Sequence, residues 1–454
     1  MILPHTESEI KSMLSIVGLS SLEELFRDIP EEARLKRDLK LPLPMSEAEL
    51  RKKFKTLANK NHQLDDQISF LGAGVYRHHI PAIVPALISR GEFATAYTPY
   101  QAEASQGTLQ AIYEYQSLIC KLMGMEAANA SHYDGSTALA EACFMAAEIS
   151  QKSEILISRA IHPHYRQVIQ TYLKGSGISL LEIPLEEGAT SKDEVKKMIS
   201  AKTAGVVLQS PNFLGCIEDT ASFSELCKQH SFPLVAAVNE PLAYGILKSP
   251  GEVGADIVAG EGQSLGIPPS FGGPHVGFIA VKQQYIRKLP GRLVGMTLDS
   301  KGVPAFTLTL QAREQHIRRE KASSNICTNQ SLCAVANAVY LSVLGKQGVQ
   351  EAARQCYHKA HYAFQEWKKE TGLTLLFKTH FFHEFVLQSP IKSEKFLYDM
   401  EKQGILAGYS LEKNYPEFPG GILLTVTEVN TKEEILNFSK KAQKILESQK
   451  CLNR

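Results

Sequence analysis

Three short stretches carry side chains and backbone amides suited to an anionic small ligand. Asp134-Gly135-Ser136-Thr137 opens a helical pattern, so the free amides of a first turn stand beside the hydroxyls of Ser136 and Thr137. That combination suits a phosphate, and it equally suits an ordinary capped helix. Val238-Asn239-Glu240-Pro241 ends an apolar run that reads as a buried strand, and open α/β sheets bind ligands beyond such strand ends. Glu240 there either meets a ligand or faces solvent. The third stretch is Gly260-Glu261-Gly262-Gln263-Ser264-Leu265-Gly266-Ile267-Pro268, whose Gln263 amide donates and accepts hydrogen bonds but offers no nucleophilic amine. The nearest amines, Lys248 and Lys282, are poorly placed for the same sheet edge.

Tyr97, Thr98, Pro99, Tyr100, Gln101 and Glu103 set aromatic, amide and carboxylate groups around a proline turn. This is the make-up of a binding loop, or of a turn with half-buried tyrosines. Arg313, His316, Arg318, Arg319 and Lys321 precede Ser323-Ser324-Asn325 as a basic run. It is either a solvated helix face or a contact for an anionic partner. His162, in His162-Pro163-His164, stacks on a ring or is a plain loop residue.

The whole chain bounds what these groups serve. Its 454 residues carry 49 Lys and Arg against 48 Asp and Glu, a net charge of +1, which supplies no basic excess for nucleic acid or a membrane surface. The eight cysteines lie far apart without CxxC pairs and read as reduced, mostly buried thiols. The start lacks the basic and apolar segments of a secretory signal, so a cytoplasmic chain is expected. The charge-free run 262–281 contains five Gly and three Pro, which would leave its backbone unsatisfied in lipid; a loop backed by a strand is expected. A second run, 322–345, is apolar only from Leu332 onward and reads as a buried helix.

Residues 1–65 form an expected helical arm, with capping-box patterns at Thr6/Glu9, Ser20/Glu23 and Ser46/Glu49. Such a segment buries too little by itself and is expected to lie over another domain or a partner subunit. Residues 66–345 alternate helices such as 137–149 and 163–173 with β-branched runs at 155–157, 178–183, 205–208, 233–238, 255–258 and 276–281. Apolar runs without alternation predict strands buried on both faces of a mostly parallel sheet. Residues 346–454 give a helix at 349–369, strands at 373–377, 383–387, near Ile405 and at 422–426, and a last helix from Lys432. The fold class is α/β: a large doubly wound, mostly parallel sheet followed by a small C-terminal α+β domain. This is the layout of fold-type I transferases that depend on pyridoxal phosphate.

The chain resembles subunit 1, the alpha chain, of the two-chain glycine cleavage system P-proteins. The resemblance rests on Phe70-Leu71-Gly72-Ala73-Gly74-Val75-Tyr76, on Tyr97-Thr98-Pro99-Tyr100-Gln101-Ala102-Glu103 with Ser105-Gln106-Gly107, and on the loop 260–268. Ser270-Phe271-Gly272-Gly273-Pro274 and the stretch 318–328 extend it. It implies a heteromeric enzyme in which the beta chain has a lysine where this one has Gln263 and holds pyridoxal phosphate there, with none bound covalently by this chain. Glycine would be decarboxylated and its aminomethyl group passed to the lipoyl arm of the H-protein. The alpha chain would complete the shared interface, with the loop 97–103 lining the glycine or lipoyl channel and Tyr100 and Glu103 turned inward. Ser136, Thr137, His162 and Glu240 would be vestiges of a cofactor site. The family pattern has Asp-Pro where this chain has Glu240-Pro241. Two other readings stay open: an inactive scaffold or regulatory subunit, and a stand-alone enzyme using Lys248 or Lys282.

Overall fold

The computed structural model describes residues 4–64, 66–322 and 324–452. Contacts divide the chain into two compact units, Met1–Gln63 and Leu64–Arg454. In the first, α1 (Glu7–Ile16) and α2 (Glu47–Ala58) start at Thr6 and Ser46, each with a reciprocal capping box to the expected glutamate. The third expected box does not form. Leu22–Phe26 is a 3₁₀ turn that begins after Ser21, which leaves Ser20 outside the cap position, and its hydroxyl bonds Glu24 instead of Glu23. Among the described residues of this unit only Leu14 is buried.

The second unit is built on a seven-stranded sheet. In chain order its strands are β1 (Ala127–Ala128), β2 (Glu154–Ser158), β3 (Ser179–Ile183), β4 (Thr203–Gln209), β5 (Leu234–Val238), β6 (Ile257–Glu261) and β7 (Gly277–Val281). Their spatial order is β1-β7-β6-β5-β4-β2-β3. β2 through β6 are parallel, in register at Leu156↔Val206, Val207↔Val235 and Ala237↔Ala259, and β7 runs antiparallel to β6 and β1. The central strands are buried along their whole length, as their unalternated Val, Ile and Ala runs require. β3 departs from the expectation: it is the sheet's edge and is mostly exposed. Crossover helices α3 (Gln106–Met123), α4 (Gly135–Ser150), α5 (Pro163–Leu173) and α6 (Thr220–Gln229) cover the sheet. The alanines of α4 let it lie close on the strands, and Ala138, Ala142 and Ala146 are fully buried in the main core.

A hairpin, β8 (Leu293–Leu298) with β9 (Pro304–Thr309), follows the sheet. The two expected helices at 332–345 and 349–369 both form and meet at a kink, together making up α7 (Ser331–Thr371), with Gly345 non-helical at the kink (φ 57°, ψ −173°). Beyond it lies an antiparallel sheet of β10 (Thr374–Leu375), β11 (Glu384–Gln388), β12 (Tyr409–Ser410) and β13 (Gly421–Thr425), ordered β10-β11-β13-β12. The helices α8 (Ser393–Glu401) and α9 (Lys432–Leu452) pack on it. Phe70, Trp367, Phe385 and Phe438 form its aromatic core, with Trp367 and Phe438 rings 4.1 Å apart. Phe70 arrives from the start of this unit: Ile68–Ser69 pairs in parallel with Ile405–Leu406, and the Phe70 carbonyl accepts from Thr425 N at 2.9 Å. The segment leaving Phe70 is thereby aimed at the carboxyl ends of β5 and β6. The seven cysteines with described side chains are free thiols; Cys451 lies outside those residues.

Candidate functional site

The ends of β5 and β6 deliver Glu240 and Gln263 into one cleft, and residues 72–78 lie against them. Gln263 is buried, and its amide is fully engaged. Its Oε1 accepts from Tyr76 N at 2.9 Å, while Nε2 donates to Tyr76 O at 3.0 Å and to Ile267 O at 2.6 Å. An amide is the one side-chain group that pairs with a peptide unit both ways. Gly74 makes the closest approach. Its φ of +97° suits glycine, and a Cβ there would stand 2.6 Å from His162 Cδ2 and 3.3 Å from Asn239 Nδ2. His162 caps α5, accepting from His164 N at Nδ1, and its Nε2 donates to Ala73 O at 2.9 Å. Burial holds the ring neutral, with its pKa lowered to about 4.

Glu240 and three residues distant in sequence form a buried ionic group. His78 bridges two carboxylates, Nε2 to Glu240 Oε2 at 2.9 Å and Nδ1 to Glu428 Oε2 at 2.7 Å. His383 Nε2 lies 3.5 Å from the same Glu240 oxygen. Glu240 Oε1 accepts from Ser264 Oγ at 3.0 Å and Leu242 N at 2.9 Å. Burial disfavours a charged His78, but Glu240 and Glu428 together raise its pKa well above the ordinary range. Burial likewise opposes ionisation of both carboxylates, and the His78 charge outweighs it, holding Glu240 far below the usual range and Glu428 at about 2. On the other side of Tyr76, Glu384 accepts from Ala73 N at 2.7 Å, from Tyr76 Oη at 2.9 Å and from Thr425 Oγ1 at 2.7 Å. Burial raises the pKa of Glu384.

The helix start that could cradle a phosphate is occupied by carboxylates of the chain itself. Asp134 Oδ1 accepts from Thr137 N at 2.8 Å and from its hydroxyl, and Oδ2 accepts from Ser136 Oγ at 2.8 Å. Glu261 Oε2 takes Gly135 N at 2.9 Å, and its Oε1 takes the amides of Gln263 and Val276 at 3.0 Å each. Pyridoxal phosphate, the cofactor implied by the resemblance, therefore does not fit these residues. Its phosphate would meet two carboxylates, its ring would meet residues 73–76, its ring-nitrogen partner Glu240 is bound to His78, and Gln263 cannot form an imine. Lys282 follows β7 at the opposite sheet edge and bonds Asp256 Oδ1 at 2.5 Å, and Lys248 is exposed. Neither supplies the missing amine.

The loop 97–103 belongs to a second group of residues. Tyr97, Tyr100, Gln101 and Glu103 are exposed, Tyr97 by 74% and Tyr100 by 52%, Thr98 is half-buried and Pro99 is buried. Tyr100 and Glu103 therefore face outward from this chain. The Tyr100 hydroxyl accepts from Arg292 Nη2 at 3.0 Å, and the guanidinium lies 5.4 Å from its ring centroid. Tyr97 Oη lies 3.3 Å from Thr328 Oγ1. Nearby, buried polar atoms lack partners among the described residues: Arg292 Nε, Arg313 Nε and Nη2, Glu314 Oε1, His132 Nε2 and Glu141 Oε2. The expected basic helix face is instead a set of short turns, with Arg313 folded inward onto Leu289 O. Ser324 lies beside Glu141 in a cavity of about 390 Å³ that Tyr133, Phe144 and Tyr172 also line; Ser323 is outside the described residues.

Burial lifts the Glu141 carboxyl to about 7, against a smaller opposing bond from Ser324. A raised carboxyl pKa means the folded state holds a proton that the unfolded chain releases. Stability is thus full below about pH 4.5 and falls as pH rises toward 7. Glu141→Gln should abolish that slope and stabilise the protein at pH 8 by about 2–3 kcal/mol, read from urea midpoints at pH 4.5 and 8.

Sequence reasoning missed His78, Glu261, Arg292, His383, Glu384 and Glu428. Arg292 follows a glycine in an otherwise apolar strand start, a weak signal. The others acquire their role only through partners up to 350 residues away.

The strand order, the helix-covered parallel sheet and the small antiparallel sheet define a protein of the fold-type I pyridoxal-phosphate class. A NifS-like protein shares this fold at a TM-score of 0.63 and 14% identity, over 84% of this chain and 99% of that one. A sphingosine-1-phosphate lyase of Burkholderia pseudomallei does so at 0.67 and 12%, over 92% and 93%. The chain belongs to the glycine cleavage system P-protein family, whose description matches residues 1–441. A crystal structure of glycine decarboxylase (P-protein), in inhibitor-bound form, superposes with a TM-score of 0.90 at 43% identity, covering 98% of this chain and all of that one (100%). A probable glycine dehydrogenase (decarboxylating) subunit 1 of Moorella thermoacetica is 50% identical over 433 residues, 95% of this chain and 97% of the relative. The corresponding protein of Carboxydothermus hydrogenoformans is also 50% identical, over 96% and 97%.

Proposed function

We propose that this chain is the alpha subunit of a two-chain glycine decarboxylase and contributes surface, not cofactor, to the shared active site. The observation that carries the reading is the Gln263 amide, paired both ways with the Tyr76 backbone where an imine-forming lysine would stand. The beta subunit would hold pyridoxal phosphate, which acts there as the electron sink for loss of CO2 from glycine. The aminomethyl group would pass to the lipoyl arm of the H-protein. The naming of close relatives as subunit 1 supports a second subunit. The exposed rings of Tyr97 and Tyr100, the latter held by Arg292, support an interface at the loop 97–103, since tyrosine is enriched where chains meet. The assembly would be a cytoplasmic hetero-oligomer, a pair of alpha–beta heterodimers in the family's common form.

The test is exchange of bicarbonate carbon into glycine in the presence of lipoylated H-protein. Exchange should require both chains together, while either alone stays at background. Full exchange by the beta chain alone would make this chain a dispensable regulator.

A further inference from the structure

The cleft that excludes a cofactor ring holds a donor set of a different kind. His78, Glu240 and His383 present ligand atoms within 4.8 Å of one another, and all three are buried. Each belongs to a different part of the second unit: the segment leaving Phe70, the end of β5, and the residue before β11. His78 Nδ1 faces Glu428 Oε2 at 2.7 Å and donates to it. In neutral imidazole that leaves Nε2 as a lone pair, pointed at another acceptor, Glu240 Oε2, 2.9 Å away. Something positive must lie between them, a second proton or a metal ion.

His383 decides between the two. Both of its ring nitrogens are buried and lack a hydrogen-bond partner among the described residues, yet Nε2 lies 3.5 Å from the same Glu240 oxygen. A proton on His78 leaves His383 Nε2 unsatisfied, whereas an ion shared by the three side chains satisfies it. We infer that His78 Nε2, His383 Nε2 and Glu240 Oε2 bind one divalent transition-metal ion, Zn²⁺ by the type and number of donors. Donors about 2.0–2.1 Å from a tetrahedral ion stand roughly 3.3 Å apart. The Glu240–His383 separation already has that value within 0.2 Å, and the His78 pair needs to open by a few tenths of an ångström. Outer contacts complete the pattern: Glu428 fixes the His78 tautomer, while Ser264 and Leu242 N hold the other oxygen of Glu240. The ion ties the two sheets and the segment between them together where relatives of this fold keep an organic cofactor.

The test uses the full chain, stripped with a chelator, desalted and titrated with Zn²⁺ against a chromophoric competitor. Wild type should take up one equivalent per chain and show a raised melting temperature. With Co²⁺ it should give the intense visible bands of a tetrahedral site. His383→Gln should weaken Zn²⁺ binding at least tenfold, and Glu428→Gln by about 10–100-fold. Cys356→Ser, which removes a thiol 3.2 Å from Glu428, should leave binding unchanged. No uptake above adventitious levels by wild type overturns the site, because a proton then holds the His78–Glu240 contact. Undiminished binding in His383→Gln, or loss confined to Cys356→Ser, overturns this ligand set. The Co²⁺ spectrum of wild type keeps the test decisive even where a variant fails to fold.

Discussion

Gln263→Lys should destabilise the protein by about 3–5 kcal/mol and still bind no pyridoxal phosphate. The substitution restores the residue type that an imine requires, but not the space. Lysine has no acceptor for Tyr76 N, which Gln263 Oε1 now satisfies at 2.9 Å, and it places an ammonium in a site that is 1% exposed. The anion position stays filled, because Glu261 still holds Gly135 N, and residues 73–76 still stand against His162 and Asn239. Adding Glu261→Gln removes one repelling carboxylate but leaves Gly74 and Tyr76 in place, so the double variant should also give no adduct. Urea midpoints report the stability loss. Borohydride treatment followed by mass spectrometry reports the adduct. A stoichiometric adduct at position 263 without loss of stability would mean that the segment swings out of the cleft freely.

The sheet was legible in the sequence because its physics is local. Runs such as Val206-Val207-Leu208 and Leu234-Val235-Ala236-Ala237-Val238 lack alternation, which only a strand buried on both faces tolerates. The hairpin β8–β9 escaped notice because its burial stops partway: Leu293, Val294 and Leu308 are buried, but Met296 and Leu298 are exposed, so no buried run spans either strand. Gly345 was legible as the end of a helix, because a backbone at φ 57°, ψ −173° cannot continue one, and α7 kinks there into its second helix. The missing lysine at 263 was readable as a chemical absence. What replaced it was not, since the partner is the backbone of Tyr76, 187 residues earlier, and a peptide unit has no sequence signature. The same holds for His78, whose two carboxylates lie 162 and 350 residues away.

Arg292→Lys should cost only about 1–2 kcal/mol of stability yet lower the glycine–bicarbonate exchange of the assembled enzyme by about 10–100-fold. Arg292 is buried and works as a fork: Nη2 donates to Tyr100 Oη at 3.0 Å, Nη1 donates to Asn329 Oδ1 at 3.2 Å, and Nε faces Glu314 Oε2 at 3.8 Å. Lysine keeps the positive charge beside buried Glu314, which limits the stability loss, whereas Arg292→Gln would strand that carboxylate and cost about 3–5 kcal/mol. Lysine cannot, however, reach Tyr100 and Asn329 from one planar group. The exposed Tyr100 ring then loses the group that sets its direction, which in the proposed assembly is toward the partner subunit. Tyr100→Phe removes the hydroxyl from the other side of the same bond. If Arg292 acts through Tyr100, the Arg292→Lys/Tyr100→Phe double variant should be no slower than the worse single variant, because both remove one interaction. Independent, multiplying losses would assign Arg292 a purely structural role, and wild-type exchange in Arg292→Lys would remove the tyrosine loop from the shared site.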